Sequence, residues 1–312
     1  MKKVFKSNTY FLIILILSII IPAFFLRPLF NLLDITDVRI RLFLSHFTVF
    51  FIPAVIYTIV TKSDIKGLFR LNKLHFKDIL IIILLSFACQ PIMNACSAIS
   101  NLFFENNVST LLFDIADTPI LILLMLMALM PSITEEITLR GIVLSGYNDK
   151  SITKAALVNG LLFGIFHLDG HQFLYAAVVG FLLAYVVRIT NSIFASMIMH
   201  FIINGTSVVM QQLIIKLYRT LNMEEVLQQT QTVSFNEKLI VVKVWCVIGI
   251  VFIPAVFGLI GVLKKRNIKR NISAYKEQLE IEKNDDERII NIPLILTIIL
   301  YLAYMTYVTF FY

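Results

Sequence analysis

The chain has 312 residues, of which 58% are hydrophobic and only 15% charged, with a formal net charge of +7. A soluble globular domain carries about 25% charged residues, so this composition excludes one, and the mean hydropathy of +0.85 agrees. The positive balance does not point to nucleic acid, because the basic residues are spread over short connections between apolar runs; a lipid bilayer is the expected partner.

The first element follows Lys2, Lys3 and Lys6 and is apolar over Tyr10–Phe25. It is long for a secretory signal core and lacks an Ala-x-Ala-like cleavage site, so a retained signal anchor is expected. Further along, apolar runs recur that are each about long enough to cross some 30 Å of hydrocarbon. Nine spans are predicted, over 9–26, 43–61, 79–98, 119–143, 152–169, 172–189, 192–215, 239–263 and 289–311. The fold class expected is all-α: a polytopic transmembrane helical bundle forming a single membrane domain over 1–312. Cys89, Cys96 and Cys246 all fall inside apolar runs with no Cys-x-x-Cys, which supports neither a disulfide framework nor a cysteine zinc site.

Charge orients the spans. The N-terminus, the connection with Lys62, Lys66, Arg70, Lys73 and Lys77, and the connection with Lys264, Lys265, Arg266, Lys269 and Arg270 fall on one side if nine spans alternate. That side is expected to be cytoplasmic, with the N-terminus in and the C-terminus out. The connections at 101–118 and 217–238 are acidic and suit the outside, whereas 27–41 is ambiguous. Residues 264–288 read as a cytoplasmic linker, helical through Tyr275–Lys283, with no chemistry of its own. The expected location is a cell membrane, that of a bacterium by composition.

Three polar clusters interrupt the apolar text. The first is Glu135-Glu136-Ile137-Thr138-Leu139-Arg140, at the end of a run that starts at Pro119. On a helix Glu136 and Arg140 share one face with the acid N-terminal to the base, the favoured order for an ion pair. Glu135 points about 100° away and has no cation at i+3 or i+4. It needs a partner from another helix, or it is the less compensated carboxylate that a general base requires. Pro131 and the spacing Ser132-x-x-Glu135 suggest a helix break with a capping box, or else a simple kink.

The second cluster, Phe163 and His167, shares a helical face in the fifth span. His167 and His171 also have metal-ligand spacing, although Gly170 and the approaching span end argue against one continuous helix. The third, His200 and Asn204, again four residues apart, offers two hydrogen-bond donors aimed at one point, as an oxyanion hole needs. Taken alone it is equally an interhelical hydrogen-bonding pair. At about 1.5 Å per residue, His200 lies about 12 Å from the cytoplasmic end. Glu135 lies about 18 Å in if its helix continues to Tyr147, and His167 about 24 Å, so convergence is allowed. Gln90, Asn94 and Asn159 read as interhelical hydrogen bonders and Arg188 as a helix-end anchor. His46 and His75 receive no role.

Glu-Glu-x-x-x-Arg, Phe-x-x-x-His and His-x-x-x-Asn, in that order on successive helices, resemble the CAAX protease and bacteriocin-processing family of intramembrane peptidases. The surrounding Leu139-Arg140-Gly141, Leu162-Phe163-Gly164 and Ser196-Met197-Ile198-Met199-His200 fit as well, and the resemblance covers a peptidase core over about 119–210. It implies that Glu135 activates water with help from His167, that His200 and Asn204 stabilise the oxyanion, and that Glu136, Arg140 and Phe163 support them. Position 139 is Leu where many members have Phe. The resemblance favours a glutamate-dependent peptidase without a metal cofactor. Zinc held by Glu135, His167 and His200 stays open as the alternative. The expected partner is a membrane-associated protein or peptide substrate. The rivals are a non-proteolytic bacteriocin self-immunity or scaffold protein of the same fold, and a transporter or proton relay. Against the last stand the lack of an inverted repeat and of matching broken helices.

Overall fold

The computed structural model describes residues 2–222 and 233–311, and every regular element among them is helical. In chain order come α1 (Lys3–Leu32), α2 (Val38–Thr61), α3 (Phe76–Ser100), α4 (Ile120–Val143), the shorter α5 (Ile152–Phe166), α6 (Gly170–Thr190), α7 (Ile193–Thr220), α8 (Phe235–Arg270), α9 (Ile272–Asn284) and α10 (Ile292–Phe311). Eight of these, all but α5 and α9, are long and apolar enough to cross a membrane. The molecule is a polytopic helical bundle, as the composition requires.

The fifth expected span differs. Its 15 helical residues reach about 22 Å, short of the roughly 30 Å of hydrocarbon. The chain turns because Leu168 adopts a left-handed backbone (φ 49°) and Asp169 caps α6 by accepting the Gln172 backbone N–H at 2.9 Å. The α5–α6 hairpin is closed by glycines. A Cβ on Gly160 would lie 2.6 Å from the Ala177 carbonyl oxygen, and one on Gly180 would lie 2.7 Å from the Phe163 Cβ. Small residues let helices approach in this way where no water drives them together.

Four stretches widen into π-helical turns: 21–26, 47–51, 125–129 and 137–143. The first three each end two residues before a proline, at Pro28, Pro53 and Pro131. Proline has no N–H to donate and crowds the carbonyl four residues back, and a wider turn accommodates both defects. Of the two readings of Pro131, the helix break with a capping box does not hold. Leu129 keeps right-handed helical backbone, no side chain caps the next turn, and the Ser132 hydroxyl donates back to the Leu129 carbonyl at 2.8 Å instead of pairing with Glu135. The fourth π turn has no proline after it and directly follows the Glu-Glu pair. Such turns recur at functional sites.

The two ends of the bundle are chemically distinct. At one end Lys3 pairs with Asp149 at 2.7 Å, Asn72 donates to the Asn191 carbonyl at 2.7 Å, and Lys150 pairs with Asp285. Arg188 donates to the carbonyls of Tyr147, Asn148 and Lys150, the helix-end anchor expected of it. Here too Asp78 receives Arg266 at 3.0 Å and Arg270 at 2.5 Å. At the other end Asn107 donates to Asp169 at 3.1 Å, Arg219 to Asp117 at 2.6 Å, and Lys238 to the Asn101 carbonyl at 3.0 Å. The three basic segments thus gather at one end, as alternation predicts. Within the acidic connection 217–238, residues 223–232 lie outside the described residues. The linker is helical over Ile272–Asn284, and α8 runs on through the basic residues to Arg270.

Candidate active site

The polar clusters meet where α4, α5, α6 and α7 pack, with α2 along one edge. Glu135 and His200 lie eight and seven residues from the basic-end termini of their helices, so both sit about 10–12 Å in. The closer agreement than expected follows from α4 ending at Val143 instead of continuing to Tyr147.

Glu136 and Arg140 form the anticipated ion pair. Arg140 Nη1 lies 3.0 Å from Glu136 Oε1, and both side chains are fully buried. A lone charge at this depth would be strongly unfavourable, and the surroundings complete the neutralisation. Arg140 Nη2 donates to the Gly180 carbonyl at 3.2 Å, and the guanidinium carbon lies 4.3 Å from the centre of the Phe163 ring. Desolvated cation–π contacts of this kind are worth about 2 kcal/mol, which gives Phe163 a physical reason to be aromatic. From the basic end Arg70 Nη1 donates to the Arg140 carbonyl at 2.9 Å. Burial, reinforced by the nearby Arg188 cation, pulls the Arg70 guanidinium down to about 9.

Glu136 Oε1 has a second partner. His200 Nδ1 lies 2.9 Å away, at hydrogen-bond distance. Because a carboxylate only accepts, the proton sits on Nδ1, and in a neutral ring Nε2 then carries the lone pair. Asn204 Nδ2 faces that Nε2 at 3.1 Å and also donates to the Met127 carbonyl at 3.3 Å. Both amide hydrogens of Asn204 are therefore engaged within the protein.

Glu135 is the less compensated carboxylate. Its side chain is 11% exposed against 0% for Glu136, so it is the more accessible of the two. His200 Nε2 stands 3.9 Å from its Oε2, and His46 Nε2, from α2, stands 3.6 Å from its Oε1. Neither is within hydrogen-bonding distance.

His167 follows the last residue of α5. Its Nδ1 donates to the Phe163 carbonyl at 2.8 Å, and its ring packs edge-on to Phe163 with centroids 4.8 Å apart. Phe163 in turn stands edge-on to His200 at 5.8 Å, so one ring separates the two histidines. His171 is elsewhere. It belongs to α6 and pairs with Ser97 Oγ at 3.2 Å, so the spacing with His167 does not put both on one helix.

Zinc needs three or four His, Cys, Asp or Glu donors converging on one point. Among the described residues no three His, Cys, Asp or Glu side chains are grouped to hold a metal ion. As arranged, Glu135, His167 and His200 do not make a ligand set.

Sequence reasoning left out His46 and Gly180. His46 is a single histidine in an apolar run, with no spacing to any motif. Gly180 acts through its carbonyl, which any residue has. Asn159 takes the interhelical role expected, donating to the Leu139 carbonyl at 2.8 Å, whereas the Gln90 amide nitrogen is buried without a partner.

A family model described as Type II CAAX prenyl endopeptidase Rce1-like matches residues 117–206, the stretch that contains all three motifs. No curated protein and no solved structure matches the chain.

Proposed function

We propose, from a core over residues 117–206 that matches the Rce1-like type II CAAX prenyl endopeptidase family model, that this protein is an intramembrane endopeptidase acting on a membrane-associated protein or peptide. The observation that supports this reading best is the division of the two glutamates. Arg140 and His200 both engage Glu136 Oε1, while Glu135 has no hydrogen bond and is the more exposed of the two.

In this mechanism Glu135 takes a proton from a water molecule as the water oxygen adds to the carbonyl carbon of the scissile bond. His167, whose Nδ1 is held by the Phe163 carbonyl, presents Nε2 to help orient the water. Negative charge develops on the carbonyl oxygen, where fixed donors act most strongly in a dry site. Asn204 serves there by exchanging its bond to Met127 or to His200 for one to the substrate oxygen, and His200 serves when Nε2 carries a proton. Collapse of the intermediate breaks the C–N bond as Glu135 passes its proton to the leaving amine, which yields a carboxylate and an amine. Glu136 and Arg140 hold His200 in register. No step requires a metal. The positive-inside rule places the basic end in the cytoplasm, and we place the protein in a cell membrane as a multi-pass protein.

The test is proteolysis by the purified protein in liposomes, on internally quenched peptides that end in a Cys-aliphatic-aliphatic-X sequence with and without a prenyl group. Comparing membrane peptidomes of cells carrying wild type and Glu135→Gln extends the test to native substrates. Glu135→Gln is expected to abolish cleavage. Asn204→Ala is expected to retain about 10⁻² to 10⁻³ of the rate, the usual effect of losing one oxyanion donor. Cleavage should survive a chelator. Full activity in Glu135→Gln would overturn the mechanism, and loss with chelator that zinc restores would overturn its metal-free form.

A further inference from the structure

Resting on the reading of Glu135 as the base, we infer that His46 is a positioning residue that fixes the rotation of the Glu135 carboxylate. His46 comes from α2, about seventy residues before the matched core. It is the last residue before the π turn at 47–51, which the following Pro53 induces. Its ring packs 4.4 Å from the centre of the Phe50 ring, and its side chain is 16% exposed. Nε2 is buried with no hydrogen-bond partner, and the carboxylate facing it is Glu135, with Oε1 at 3.6 Å.

Two observations converge here. A buried ring nitrogen without a partner is unfavourable by about 1–3 kcal/mol, so its persistence beside an under-compensated carboxylate calls for an explanation. The two oxygens of Glu135 are also distinguished by their neighbours, Oε1 towards His46 and Oε2 towards His200. Hydrogen bonds in a resting active site are commonly long and tighten when substrate arrives. A closure of about half an ångström, or one bridging water, joins His46 Nε2 to Oε1. Oε1 is then held, and Oε2 is left to receive the proton of the attacking water between Glu135 and His200. His46 itself needs no contact with substrate.

The competing account is that the His46 ring only fills space against Phe50. Two substitutions separate the accounts. His46→Phe keeps a ring against Phe50 and removes Nε2. His46→Gln loses the ring and keeps an amide nitrogen at nearly the same reach. Positioning predicts that His46→Phe lowers kcat by roughly 10- to 100-fold with KM nearly unchanged, the range expected when a reacting group loses its orientation. It predicts that His46→Gln stays within a few-fold of wild type. The probes are the same quenched peptides in liposomes, with Glu135→Gln run in parallel. Wild-type kcat in His46→Phe with a poor His46→Gln would overturn the inference in favour of packing. Wild-type kcat in both would leave His46 without a role. If Glu135→Gln is itself active, the proposed function fails; if it is inactive while His46→Phe is normal, only the role of His46 fails. An infrared measurement needs no substrate. The carboxyl band that disappears in Glu135→Gln should shift in His46→Phe and return in His46→Gln, and a band that does not move in His46→Phe refutes the contact.

Discussion

Glu135 and Glu136 are chemically identical neighbours, and about 100° of helix rotation gives them different surroundings. Glu136 turns into the bundle, where Arg140 and His200 both reach one of its oxygens. Removing one member of such a buried pair leaves an uncompensated charge, typically at a cost of about 3–5 kcal/mol. Arg140→Met alone should therefore lower thermal stability in detergent more than the double substitution Glu136→Gln with Arg140→Met, as melting of the two variants beside wild type would reveal. Peptidase activity should fall in both, because without Arg140 the side chain at position 136 that accepts from His200 Nδ1 is no longer held in place. The i, i+4 spacing made this pair legible in the sequence, as it did Phe163 with His167 and His200 with Asn204. The partners of Glu135 were not legible. His46 lies 89 positions upstream, and only packing of α2 against α4 brings them together.

At the level of elements, apolar length and charge identified the helices, and the exceptions trace to particular residues. Alternation along the chain predicted a full fifth span, but the left-handed Leu168 and the Asp169 cap end α5 early. Pro131 left a break and a simple kink open for α4, and the π turn at 125–129 absorbs the proline, because helical backbone can widen when one donor is missing. The α5–α6 hairpin depends on close approach, which is read from contacts and not from composition. Gly160→Ala places a methyl group 2.6 Å from the Ala177 carbonyl oxygen, so the helices must separate. The expected penalty is about 1–3 kcal/mol. Activity should fall with it, since Gly180 and Phe163, which flank Arg140, move together. Thermal melting and peptide cleavage of Gly160→Ala check both effects, and an unchanged melting temperature would contradict the close packing.

Across the whole molecule the basic segments collect at one end and the acidic 101–118 connection lies at the other, which makes orientation testable. With Cys89, Cys96 and Cys246 replaced, Glu105→Cys should react with a membrane-impermeant thiol reagent in intact cells, and Lys73→Cys only after permeabilisation. The reverse pattern would invert the bundle. Both positions are exposed, so labelling reports sidedness and not burial. The sequence by itself determined that the chain is a helical membrane bundle, how its loops alternate, and which side chains share a helical face. These properties follow from hydropathy, charge and a rotation of 100° per residue, all of which are local. Only the tertiary structure decided that Glu136 is engaged by Arg140 and His200 while Glu135 makes no hydrogen bond, that Phe163 touches two histidines and covers Arg140, and that His46 faces Glu135. Those relations depend on distances between helices. Such distances are set by how closely glycines, prolines and buried ion pairs allow the helices to pack, and no pattern along one helix encodes them.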